Sequence, residues 1–157
     1  MKTASLKELK EELEHYSQEE LIKLCLRLTK FKKENKEFLN YLLFGANNEV
    51  QYIENIKIEV DDLFSQVNTS SFYYIKKSIR KILRTLKKYI KYSQKSETEI
   101  ELLIYFCQKM NELKPNIHTN NVLKNIYYRQ IENIKKTISK LHEDLQYDYN
   151  LELDKLC

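Results

Sequence analysis

A chain of 157 residues, 42% hydrophobic and 32% charged, is long enough to bury a substantial core and too apolar to stay disordered. One glycine and one proline argue against a β-sheet protein, whose tight turns draw on both. No apolar run approaches the roughly 20 residues that cross a bilayer, and the opening MKTASLKELKEELE is polar and acidic where a secretory leader needs an apolar stretch, so the expectation is a cytosolic protein.

Taken in order, the chain reads as helix after helix. Ser5 with Glu8 and Ser17 with Glu20 form capping-box patterns that open helices over 6–14 and 19–31. In the second, Leu21, Ile22, Leu24, Cys25 and Leu28 make a stripe expected to face the core. A third helix is expected over 34–44, with Phe38, Tyr41 and Leu42 inward and Gly45 as a left-handed C-cap. A fourth, 49–67, carries Ile53, Ile56, Val60, Leu63 and Phe64 at helical spacing. NTSS at 68–71 breaks it, and Ser70 or Ser71 is placed to cap the next helix.

That next stretch, Phe72 to Lys95, is the one the rest is read around. Ile75, Ile79, Ile82, Leu83, Leu86 and Ile90 recur every three or four residues and gather on about a third of a helix circumference. Nine basic residues and no acid fill the remainder: Lys76, Lys77, Arg80, Lys81, Arg84, Lys87, Lys88, Lys91 and Lys95. Tyr73 lies among them, with Tyr74 and Tyr92 alongside. Ser96 and Glu99 form a third capping box before a helix over 97–113, whose core positions are Ile100, Leu103, Ile104, Cys107 and Met110. Pro115 and NIHTNN end it, and a long helix over 122–142 follows, with Leu123, Tyr127, Ile131, Ile134, Ile138 and Leu141 spaced almost as heptads. The acidic remainder, 143–157, is either a docked helix or a frayed tail. The short connections favour antiparallel neighbours. The expected fold is thus all-α: one domain over 1–157 of six to eight helices, as an irregular bundle or, slightly preferred, a short stack of helical hairpins.

Charge is segregated along the chain. Residues 1–20 hold six acids against three bases, 121–142 five bases against one acid, and 143–157 five acids against one base. Such asymmetry suits an acidic partner, and equally suits acidic ends folded back on the basic middle.

The opening LKELKEEL, then YSQEELIKLCLRLTKFKKENKEFLNYLL, resembles the start of a family of small bacterial helical proteins, a domain of unknown function. The likeness continues through IKKSIRKILRTL and SETEIELLIYFCQKMNEL, about two-thirds of the chain in all. Its landmarks are helix caps and core positions, so the resemblance implies an all-α fold and a bacterial source, and no activity, cofactor or catalytic residue.

The chemistry-bearing residues narrow the function further. Cys25, Cys107 and Cys157 are odd in number and far apart, with no CxxC pair, and Cys25 and Cys107 read as buried small hydrophobes. Glu12-x-x-His15 has di-metal spacing, but a second such pair is lacking, since Pro115 and Ser139 precede His118 and His142. His142 is expected at the close of the long helix, against the negative end of its dipole. One glycine cannot build a phosphate-cradling loop, no nucleophile elbow is visible, and adjacent Asp61 and Asp62 do not by themselves make an acid–base pair. Catalytic, metal and cofactor residues are therefore not assigned. The candidate partner-binding set is Lys76, Lys77, Arg80, Arg84, Lys87, Lys88 and Lys91 with Tyr73, Tyr74 and Tyr92. It points to an interaction module for an acidic protein surface, or alternatively to nucleic acid, with lysines on phosphates and tyrosines stacked on unpaired bases. An enzyme with a motif-free cleft is the third reading, and a merely solvated charged face, exaggerated by a Lys- and Ile-rich composition, is the plain one.

Overall fold

The computed structural model describes residues 1–157 and contains eight α-helices and no strand. They are α1 (Leu6–Leu13), α2 (Gln18–Phe31), α3 (Lys33–Asn40), α4 (Glu49–Ser65), α5 (Phe72–Ser93), α6 (Ser96–Asn111), α7 (Asn121–Ile138) and α8 (Glu143–Asp154). A π-helical turn, Tyr41–Gly45, follows α3, and a 3-10 turn, Ile117–Thr119, precedes α7. None of the helices is long and apolar enough to cross a membrane. The chain divides into two compact units, Met1–Phe44 and Gly45–Cys157.

In residues 1–44 both expected capping boxes form. Ser5 Oγ accepts from Glu8 N and Ser17 Oγ from Glu20 N, and each glutamate accepts in return from the cap backbone. α2 turns into α3 through Lys32 in extended conformation, and Asn35 Nδ2 donates to the Leu28 carbonyl at 2.7 Å to hold the hairpin. The α2 stripe is not a core: α1, α2 and α3 bury no residue, and Cys25 is exposed. The spacing gives the apolar side of a helix but not whether anything covers it. Of the three side chains expected inward in the third helix, Tyr41 alone is buried. Gly45 is not left-handed either, because the π-helical turn carries the backbone through. The left-handed residue is Gln94, at the C-terminus of α5, with its N–H on the Ile90 carbonyl.

Residues 45–157 form an irregular helical bundle, and its hub is α6 rather than the basic helix. α6 packs against α4, α5, α7 and α8 and buries residues on every side, including Leu102 and Phe106 beyond the stripe read from spacing. The predicted apolar sides of the other helices meet it: Ile53, Ile56, Val60 and Phe64 from α4, Ile75, Ile79, Ile82 and Leu86 from α5, and Leu123, Tyr127, Ile131, Ile134 and Ile138 from α7. The polar contacts are interhelical. Glu49 accepts from Ser93 Oγ at 2.5 Å and Thr98 Oγ1 at 2.7 Å, joining the start of α4 to the end of α5 and the start of α6. Asp61 pairs with Lys109 at 3.2 Å and accepts from Tyr105, while Asp62 accepts from Gln66, so the two carboxylates serve separate partners.

Two expected caps are absent. Ser71 takes the cap position of α5 without a side-chain bond to the helix, and Ser96 lies inside α6, where Lys95 holds the cap position. Glu99 reaches Thr137 on α7 instead, so a tertiary partner wins over the local box. The acidic tail is ordered as α8, which docks on α6 and α7. His142 is its N-cap, accepting from Asp144 N, and does not close α7, which ends at Ile138.

Tyr127 ties the far end together. Its buried hydroxyl donates to the Leu156 carbonyl at 2.6 Å and accepts from Asn111 Nδ2 at 3.0 Å, and His118 packs edge-on against the ring with Nε2 2.9 Å from Asn111 Oδ1. Tyr127→Phe strands both polar partners and should cost about 1–3 kcal/mol in urea denaturation. Tyr128→Phe, at an exposed ring, should stay within about 0.5 kcal/mol. Equal effects would refute the clasp.

Cys107 is fully buried, and burial, with a smaller contribution from Cys157, pushes its thiol up to about 12. A thiol reagent at pH 8 should therefore find two fast cysteines, the exposed Cys25 and Cys157, and a third only on unfolding. Because the unfolded thiol titrates near 9.0, the folded state holds the proton longer, and stability falls as pH rises from about 9 to about 12. Burial first, then Asp61, shifts Tyr105 in the same direction. Three fast thiols in the native protein would contradict this placement.

Candidate anion-binding groove

Six of the nine α5-region bases, Lys77, Arg80, Lys81, Arg84, Lys87 and Lys91, are exposed and enter no ion pair. Lys76 and Lys88 are half-buried, with the Lys88 ammonium 5.1 Å from the Tyr89 ring centroid. Lys95 is drawn off to Glu49 at 3.5 Å. The acidic helix α8 lies against α6 and α7 and leaves these bases in solvent.

The tyrosines do not gather. Tyr73 and Tyr74 are exposed in the first turn of α5 and stack edge to face at 5.3 Å. Tyr92 sits about 27 Å further along the helix axis, half-buried, its ring 6.1 Å from that of Tyr89. A single stacking platform of the three is ruled out by that distance.

The structure adds residues that charge counting along the chain did not place at the site. A groove of about 410 Å³ runs between α5, α6 and the end of α7. Lys87 and Lys91 stand on one flank, and Lys136 and Lys140 on the other. Ile90 and Leu103 give it an apolar floor, and Asn133, Thr137 and Glu99 supply polar groups. Four lysines and one half-buried carboxylate thus line the same groove, and that carboxylate, Glu99, accepts from Thr137 Oγ1 at 3.1 Å. The surplus of bases over 121–142 was the available signal, but only the packing of α7 on α6 brings Lys136 and Lys140 opposite α5.

No three His, Cys, Asp or Glu side chains assemble as a metal centre, and Glu12 and His15 are both exposed. The groove holds no cysteine, serine or histidine to act as nucleophile or base. Its cations are all lysines, whose stems lack the fixed planar geometry of an arginine fork. Comparison of the chain with models of protein families, with curated proteins and with solved structures finds no match.

Proposed function

We propose that this protein is a non-catalytic interaction module, and that its groove takes an acidic segment of a partner protein that also carries apolar side chains. The supporting observation is the apolar floor of Ile90 and Leu103 between two pairs of lysines. A sugar–phosphate backbone would satisfy the lysines and leave that floor unused. An acidic amphipathic peptide would use both, with the exposed bases of α5 steering it in.

Fluorescence anisotropy tests this with a labelled peptide alternating Glu and Leu, an all-Glu peptide of equal charge, single-stranded DNA, duplex DNA and RNA. The Glu/Leu peptide should bind most tightly and persist at physiological salt, with the nucleic acids held only at low salt. Tight RNA or single-stranded DNA binding at physiological salt, without the peptide preference, would replace this reading by the nucleic-acid one.

A further inference from the structure

We infer that residues 1–44 associate with the same unit of a second copy of this chain, the acidic helix α1 of one copy lying antiparallel against the basic second half of α2 of the other. The surface in question is separate from the lysine groove, so the outcome is independent of that proposal.

The first observation is a helix without a core. α1 has eight residues and buries none of them. An isolated helix shorter than about 12–15 residues is marginal in water, and Leu6, Leu9 and Leu13 lie exposed along one side of this one. α2 likewise buries nothing, and leaves Leu28 and Phe31 in solvent at 61% and 77% exposure. Apolar surface gathered on one small unit marks an interface.

The second observation is that the two stripes match. Leu6, Leu9 and Leu13, continued by Tyr16, repeat at intervals of three, four and three. Leu21, Leu24 and Leu28, continued by Phe31, repeat at the same intervals over the same length. That is the spacing of a knobs-into-holes seam, and because α1 ends at Leu13 its helical part, Leu6, Leu9 and Leu13, matches Leu24, Leu28 and Phe31 of α2 in antiparallel order. α2 also offers a receiving hollow of about 410 Å³, lined by Leu24, Leu28 and Phe31 with Arg27 and Lys30.

The charges identify the occupant as a second copy. Residues 6–14 carry four glutamates against two lysines, whereas 23–31, the second half of α2, carry three bases and no acid. At 100° per residue, Glu12 borders the α1 seam on the side corresponding to that on which Arg27 borders the α2 seam, each about 80° from the seam's centre. Antiparallel packing brings those two sides together, and a two-fold axis makes the contact twice. One unit therefore holds both halves of a complementary pair.

Sedimentation equilibrium of the full chain tests it. The native protein should give twice 19.1 kDa and dissociate on dilution. Leu9→Glu with Leu28→Glu should give the monomer with an unchanged circular dichroism spectrum. If that variant loses helix, a charge pair decides: Glu12→Lys and Arg27→Glu should each dimerise several-fold more weakly, and their equimolar mixture should recover the native affinity, because only the mixed dimer restores opposite charges at both contacts. A native monomer at every concentration, a dimer indifferent to the leucine changes, or a mixture no tighter than its components would overturn the inference.

Discussion

Phe106→Ala should destabilise the bundle by about 3–5 kcal/mol. The ring is fully buried at the middle of α6, 5.8 Å from Phe64 and tilted 57° to it. Because α6 is packed on four sides, the surrounding helices have little freedom to close the cavity, and the upper half of that range applies. Against a total of about 5–15 kcal/mol for a domain, the loss brings unfolding near ambient conditions, and the melting temperature should fall by roughly 15–30 °C. Phe106→Leu, which keeps most of the volume, should cost less than about 2 kcal/mol. Denaturant titrations of the three proteins measure this directly. A loss under about 1 kcal/mol for the alanine variant would mean that α6 is not the hub described.

Reversing Lys87, Lys91, Lys136 and Lys140 to Glu should weaken binding of the Glu/Leu peptide by about two to three orders of magnitude. Each exposed pairing contributes about 0.2–1 kcal/mol, and reversal replaces attraction by repulsion, so four positions together reach about 3–4 kcal/mol. Added salt should narrow the difference, since these side chains are open to solvent. A matched variant reverses Lys77, Arg80, Lys81 and Arg84, which changes net charge equally but leaves the groove intact. It should lose about tenfold or less, through steering alone. Equal losses from the two variants would show a diffuse field acting over α5 and no defined groove.

The all-α class and most helix bounds were legible because they rest on local physics. The three-and-four spacing located α5 from its first residue, and the Ser5 and Ser17 boxes formed because both members lie within one turn. What failed needed the third dimension. The pattern at Ser96 and Glu99 is as good as the other two, yet Thr137 offers Glu99 a partner from another helix. Gln94 has no intrinsic preference for a positive φ and gave no sign of ending α5 in that way. The stripe in α2 has the same period as those in α4 and α7, but period fixes a face and not a cover. At the candidate site, the α5 bases could be named from the chain, whereas Lys136 and Lys140 joined them only through the packing of α7 on α6.

The neighbour-to-neighbour packing in residues 45–157 also bears on how the molecule forms. Its main helix pairings, from α4 with α5 to α7 with α8, join elements adjacent or next-but-one along the chain. Low contact order of this kind carries a small loop-closure cost, and such domains refold on the order of microseconds to milliseconds. α6 comes third among those five helices, so a nascent chain released as far as Asn111 already holds α4, α5 and α6, which all pack on one another. The core can begin to close while α7 and α8 are still being made, and the apolar surface of α6 then waits for those two helices, the next along the chain.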